Sequence, residues 1–182
     1  MILVALRHPP TCVAPGCALG RVDVPLAGTI DDAVETALMA LRPWSYEHVW
    51  TSPLSRCAQL AALIASNDGL ALTLDDRLLE FSYGEWEGQT FGAIEAIDGP
   101  RFQAWMSDWQ SLAPPGGESA ADVERRVLPW VRLLEREGGN HLLVAHAGIV
   151  RALRVIIGGL TWPAAMDLPV PHLVPEVFGV AT

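Results

Sequence analysis

The sequence predicts one α/β domain spanning residues 1–182, built on a mostly parallel sheet that is buried on both faces. Two observations point to it. Apolar runs of strand length alternate with segments of helical period, which is the signature of βαβ units whose strands are buried on both faces. Two of those runs, Ile2–Leu6 and Leu142–Ala145, end abruptly in histidines, Arg7-His8 and His146-Ala147-Gly148. Groups at the carboxyl ends of neighbouring strands in such a sheet converge on one crevice, so two histidines far apart in the chain are expected to share a site.

Ile2–Leu6 is the first strand. Residues 31–41 carry Ala33, Val34, Ala37, Leu38 and Leu41 at helical spacing and form a helix that closes before Pro43. His48–Thr51 is the next strand. Ser52-Pro53 then opens a second helix, with Ser52 as the expected cap and Pro53 pre-set for the first helical position, running to about Ala65. A short strand over 70–74 precedes a loop rich in glycine and aromatics from Glu80 to Gly88. Residues 91–112 read as helix with interruptions, Trp105 and Trp109 lying on one face. Residues from about 91 to 115 are the expected cap over the site and carry no motif that identifies a substrate. Pro114-Pro115-Gly116-Gly117 breaks the chain before an amphipathic helix over 119–135. After the strand 142–145, residues 148–157 are expected to be helical, and residues 177–180 to add a final strand.

The formal net charge of −9 argues against non-specific binding of nucleic acid or anionic membrane, both of which need clustered Lys and Arg. A bound phosphate must therefore meet positive charge that is local. The three cysteines, Cys12, Cys17 and Cys57, have no disulfide-framework spacing and suit a reducing compartment, so the cytoplasm is expected. The first apolar run is too short for a signal segment, and the stretch 142–160 is broken by His146, Arg151 and Arg154, so no membrane span is expected. Cys12 and Cys17, five apart and without a second close pair, lack metal-site spacing, and neither a metal nor another cofactor is expected.

The chemistry gathers around His8. Arg56 falls in the first turn of the second helix, where the macrodipole disfavours a cation by a few tenths to about 1 kcal/mol unless an anion is present. Arg7, Arg56 and the free N–H groups of that helix can together hold a phosphate dianion. A neutral imidazole is nucleophilic near pH 7, and cationic neighbours, among them Arg7, Arg56 and a protonated His146, would keep His8 neutral. His146 would then donate to an equatorial phosphoryl oxygen. A leaving alkoxide needs a proton, and the loop offers Glu80, Glu85 and Glu87. Apolar neighbours on both sides of Glu80 favour a raised pKa, but the residues alone leave the choice open.

The set Arg7-His8, Ser52-Pro53-Leu54-Ser55-Arg56, Glu80 with Gly84-Glu85-Trp86-Glu87-Gly88, Gly117-Glu118-Ser119 and His146-Ala147-Gly148 resembles the histidine phosphatase (phosphoglycerate-mutase-like) superfamily, with the blocks in family order. The resemblance implies a three-layer, doubly wound, mostly parallel α/β fold with helices on both faces, a phosphohistidine on His8, a phosphoryl group held by Arg7, Arg56 and His146, and Glu80 as proton donor. It extends through Gly20-Arg21-Val22-Asp23-Val24-Pro25-Leu26, and within the family the chain resembles the branch that contains the α-ribazole phosphatases of the cobalamin pathway. Arg21 is expected either to border the phosphate or to bridge to Asp23. Glu118 is left outside the catalytic set, Trp86 is placed at the substrate pocket, and His172 is read as surface or packing.

Four positions depart from the family pattern. Pro9 and Pro10 follow the nucleophile, Ala14 replaces a common asparagine, and Ala147 replaces a glycine beside the second histidine. Pro9 keeps a carbonyl that can fix a histidine tautomer, and Ala147 keeps a backbone N–H for substrate. The expected activity is hydrolysis of a small phosphomonoester without metal. The alternatives are mutase-type phosphoryl transfer, which generally goes with longer chains, and a catalytically silent phosphate-binding protein. The oligomeric state, monomer or homodimer, is open.

Overall fold

A computed structural model describes residues 1–179. Five strands form one sheet: β1 (Ile2–Arg7), β2 (His48–Thr51), β3 (Ala71–Leu74), β4 (Asn140–Ala145) and β5 (Pro175–Gly179), in the order β3-β2-β4-β1-β5. β1, β2 and β3 run parallel to their neighbours through β4, and β5 joins β1 antiparallel. The expected final strand starts two residues earlier than predicted, and Val180 lies outside the described residues.

The pleat explains why the strands read as unbroken apolar runs. Leu3, Ala5, Trp50, Leu143 and Ala145 point to one core, while Val4, Leu6, Val49, Leu142 and Val144 point to the other. Helices α1 (Ile30–Leu41) and α2 (Ser55–Asp68) cover the second face. The first face is covered by α4 (Ala120–Glu137), α5 (Ala147–Ile156) and α6 (Trp162–Asp167). Fully burying each of the large aliphatic side chains contributes about 1.5–3 kcal/mol, so neither face can be left uncovered. Ser119 and Asp122 close a reciprocal capping box on α4, and Thr29 caps α1.

A further helix, α3 (Phe91–Ser107), is capped by Thr90. Pro100 has no N–H to continue the ladder, and the helix breaks at Asp98, whose φ of −132° is not helical. Asp98 steadies the break by accepting from Trp86 Nε1 at 3.0 Å and Arg101 Nε at 2.8 Å. A separate small core holds this region together: Ala18, Trp86, Ile94 and Phe102, with Tyr83, Phe91 and Trp105 around them.

Two aromatic expectations are corrected here. Trp86 is only 3% exposed and packs edge-on against Trp105 at 5.7 Å, so it anchors α3 instead of lining a pocket. Trp109 lies beyond the end of α3 and packs on Trp162 of the main core, so the two tryptophans do not share a helical face.

Candidate active site

β1 and β4 are neighbours, with Arg7 opposite Ala145, so the residues that follow each strand emerge side by side. The His8 N–H donates to the Ala145 carbonyl at 2.9 Å, and the His8 and His146 rings lie 5.3 Å apart, edge to face. Both rings are buried. The convergence expected from strand topology is therefore present.

Hydrogen bonds fix the tautomer of each ring. His8 Nδ1 lies 2.6 Å from the Pro9 carbonyl, which can only accept, so Nδ1 carries the hydrogen and Nε2 keeps a lone pair. Burial pushes the His8 imidazolium down to about 3, helped by Arg56, His172 and Arg7, so the ring is neutral at pH 7. His146 is lowered well below the ordinary histidine value, first by burial and then by Arg56 and His8. The expected protonated His146 is thus replaced by a neutral ring, because a second cation cannot be held beside Arg56 without solvent or a counter-ion. Arg56 Nε donates to His146 Nδ1 at 3.3 Å, which leaves the His146 proton on Nε2, donated to Ser52 Oγ at 2.8 Å.

Ser52 is the partner of His146 and not the helix cap. α2 begins at Ser55, Leu54 supplies no capping side chain, and the carboxylate of Asp23 accepts from Ser55 N at 3.2 Å and Ser55 Oγ at 2.7 Å in its place. Cys57, fully buried one residue after Arg56, packs its sulfur 3.5 Å from His146 Nε2, and burial raises its thiol well above the usual range. Arg56 is only 1% exposed and also donates to the carbonyls of Gly20 and Val22, at 2.7 Å each. Three of its five N–H groups are thus engaged and two remain.

Arg7 donates through Nη1 to the Val170 carbonyl at 2.7 Å, and its buried Nε has no partner among the described residues. Burial lowers Arg7, and the nearby Glu80 carboxylate partly restores it. Arg151, on α5, shares these features: a buried Nε without a partner, and a charge that feels Glu80. Sequence reasoning used Arg151 only to argue against a membrane span. Its signal was available, since Arg151 stands three residues after Gly148 and so on the same helical face.

Of the three loop carboxylates, Glu85 is on the solvent side with Arg101. Glu87 organises its own loop, its Oε1 accepting from the N–H groups of Arg21 and Tyr83 and from Ser82 Oγ. Glu80 lies against the start of α5, its Oε2 accepting from Gly148 N at 3.3 Å and its Oε1 from Phe81 N at 3.0 Å. Two arginines grip its backbone carbonyl, Arg21 Nε at 3.2 Å and Arg126 Nη2 at 3.1 Å, and both also pair with Glu118. With Asp23 taken by Ser55, the expected Arg21–Asp23 bridge does not form. Glu118 also accepts from Ser82 N at 3.1 Å, so it anchors the Glu80 loop. Gly84, at φ +56°, and Gly117 let that loop lie backbone to backbone on the Pro114–Gly117 turn, where Glu85 N donates to the Pro115 carbonyl.

Ala147 opens α5, so its N–H is one of the orphan donors of a helix start, and it needs no positive φ there. A Cβ at Gly148 would collide with Glu80 Oε1 and the Phe81 ring. Gly148→Ala is accordingly expected to displace Glu80, lowering stability by about 1–3 kcal/mol and turnover by at least about 10-fold. Urea unfolding and steady-state kinetics on the same preparation check this.

The neutral rings also set a pH dependence. An unfolded histidine titrates near 6.5, whereas folded His8 resists protonation down to about 3 and His146 also titrates well below 6.5. As pH falls below 6.5 the unfolded chain binds protons that the folded chain refuses, so stability declines by about 1.4 kcal/mol per pH unit for each ring, and by about 2.7 for the two. Denaturant unfolding at pH 7, 6 and 5 should show that fall. Constant stability from pH 7 to 5 would contradict it.

Comparison with known proteins agrees with this geometry. Residues 3–174 match the family model of the histidine phosphatase superfamily (branch 1). The chain belongs to that superfamily. It is 33% identical over 177 residues to a glucosyl-3-phosphoglycerate phosphatase of Mycobacterium tuberculosis H37Rv, covering 89% of this chain and 78% of the relative. It is 30% identical over 141 residues to a 2,3-bisphosphoglycerate-dependent phosphoglycerate mutase of Cytophaga hutchinsonii, covering 74% and 66%. The α-ribazole phosphatase of Shigella flexneri superposes with a TM-score of 0.85 at 25% identity, covering 97% of this chain and 89% of that one. The chain is a phosphatase of this superfamily. No helix among the described residues is long and apolar enough to cross a membrane.

Proposed function

We propose that this histidine phosphatase hydrolyses a small phosphomonoester in two steps through a phosphohistidine on His8. The observation that carries the reading is the buried, neutral His8 ring, whose Nδ1–H is held by the Pro9 carbonyl so that Nε2 alone is free to attack. In the first step Nε2 forms a bond to phosphorus as the ester P–O bond breaks, and Glu80 gives its proton to the leaving oxygen. Positive charge grows on the His8 ring, which strengthens the Nδ1–H hydrogen bond to Pro9. In the second step Glu80, now ionised, takes a proton from water as the oxygen attacks phosphorus and the P–N bond breaks.

Arg7, the two unengaged N–H groups of Arg56 and the N–H of Ala147 are the donors for the phosphoryl oxygens, and His146 joins them by turning its Nε2–H from Ser52. Preorganised donors of this kind contribute about 10²–10³-fold each. Arg21 borders the site through Glu80, whose carbonyl it holds. Residues 91–115 act as the cap over the leaving group. The proposed substrate is α-ribazole 5′-phosphate, in the cytoplasm, and the reaction needs no metal. A panel of phosphate monoesters that includes α-ribazole phosphate and glucosyl-3-phosphoglycerate, assayed with and without chelator, tests both statements.

Glu80→Gln is expected to reduce turnover by about 10²–10⁴-fold on an alkyl phosphate and much less on p-nitrophenyl phosphate, whose leaving group needs no proton. Equal losses on both substrates would remove Glu80 from the acid role. The mutase relative supports a second reading, in which phospho-His8 passes its phosphoryl group to a phosphoglycerate instead of water. Partition of label between inorganic phosphate and bisphosphoglycerate decides between the two. A silent phosphate binder would form no phosphoenzyme at all.

A further inference from the structure

The His8 ring is flanked by a third imidazole that the proposed mechanism does not use. His172 Nδ1 lies 2.6 Å from the His8 backbone carbonyl, and the two rings meet edge to face at 5.2 Å, almost the separation of His8 from His146. A carbonyl only accepts, so His172 carries its proton on Nδ1 and donates it. The half-buried His172 arrives on a short strap between α6 and β5 that fastens to the nucleophile dipeptide three times. The Val170 carbonyl takes the Arg7 Nη1 hydrogen at 2.7 Å, His172 holds the His8 carbonyl, and Leu173 N donates to the Arg7 carbonyl at 3.1 Å.

The strap is pinned at both ends. Val170 is buried in the core on the α4–α5 side, and Leu173 packs against the core on the α1–α2 side. Leu173 has φ +58°, and it is the single non-glycine residue at positive φ among the described residues. Such a conformation persists only where its surroundings over-determine it, and such strain clusters at functional sites. Here it turns the chain so that the residue before it faces His8.

We propose that His172 is a positioning residue for the nucleophile: through its Nδ1–H it fixes the backbone of His8, and through its ring edge it limits rotation of the His8 imidazole, so that Nε2 stays on the line of attack. The inference rests on the reading of His8 as nucleophile. A misplacement of about 1 Å at a reacting atom costs on the order of 10²-fold, which is the leverage such a residue has.

The test is a set of three variants of the full chain, assayed on p-nitrophenyl phosphate by steady-state and rapid-quench kinetics, with thermal unfolding recorded for each. His172→Ala should lower the rate of phosphoenzyme formation and kcat by about 10-fold to 100-fold with KM little changed. His172→Asn, whose amide N–H reaches the same place as Nδ1–H, should recover to within about 3-fold of wild type, whereas His172→Gln, whose amide mimics the other ring nitrogen, should not. Wild-type kcat in His172→Ala overturns the proposal, and so does equal impairment of the Asn and Gln variants, or a loss that follows only the fall in Tm. Should His172→Ala fail to fold, the Asn and Gln pair carries the test. A dead His8→Ala with a fully active His172→Ala would refute this inference alone, and an active His8→Ala would refute the mechanism beneath it.

Discussion

Replacing His8 with alanine is expected to lower turnover by about 10⁴-fold or more and to abolish phosphoenzyme formation, because removing a nucleophile removes the covalent step and not merely a contact. The variant should still fold. His8 is buried and its ring donates to its neighbour's carbonyl, so truncation leaves one acceptor, the Pro9 carbonyl, without its partner. A cost of about 1–3 kcal/mol is expected for that, part of it offset because a ring that resists protonation no longer has to be kept dry and neutral. Near-UV circular dichroism and binding of inorganic phosphate should therefore survive the change that ends catalysis. Full phosphatase turnover in His8→Ala would defeat the mechanism.

The second large effect belongs to Arg56. Its guanidinium does three things at once: it donates to the Gly20 and Val22 carbonyls, it fixes the His146 tautomer, and it retains two N–H groups for the phosphoryl oxygens. Arg56→Met keeps much of the apolar stem but leaves two carbonyls without their donors. At about 1–3 kcal/mol for each buried acceptor, a loss of about 3 kcal/mol is expected, or roughly 10 °C in Tm for a chain of this size. Turnover should fall further, by about 10³-fold at a temperature where the variant is folded, because a transition-state donor is also lost. Arg56→Lys should recover little of either, since an ammonium has no planar fork to span the two carbonyls and the ring. Recovery of both stability and turnover in the lysine variant would show that only the charge matters.

Much of the site was legible because strand topology puts it in one place. The runs 2–6 and 142–145 were readable as buried parallel strands, and adjacency of their carboxyl ends followed from the fold class, so His8 and His146 could be paired before any geometry was known. Arg56 was legible for a similar reason, as a cation in a helix turn that disfavours one. What was not legible depended on contacts that cross the chain. Ser52 fits the pattern of a helix cap, and nothing local reveals that Asp23 takes that role and frees Ser52 for His146. The residues alone leave Glu80, Glu85 and Glu87 open; the family resemblance singles out Glu80, and the course of the loop is what shows its carboxylate against the start of α5.

The charge state of His146 was misjudged on the same ground. A histidine beside a phosphate pocket invites protonation, but full burial next to Arg56 outweighs it in the free protein. Nothing in the proline-rich segment around His172 distinguishes a surface or packing residue from one held against the nucleophile, and the turn at Leu173 brings it there. Trp86 and Trp105 meet in a small core with Phe102 across the break at Asp98, an encounter that no local pattern gives.

The central claim is that His8 carries the phosphoryl group. Enzyme mixed with a ³²P-labelled phosphomonoester and quenched within milliseconds, then digested and mapped, tests it most directly. An acid-labile, base-stable phosphate on the peptide containing His8, appearing in a burst and absent from His8→Ala, is the predicted result. Steady hydrolysis with no label on that peptide at any quench time, or label on another residue, would contradict the account.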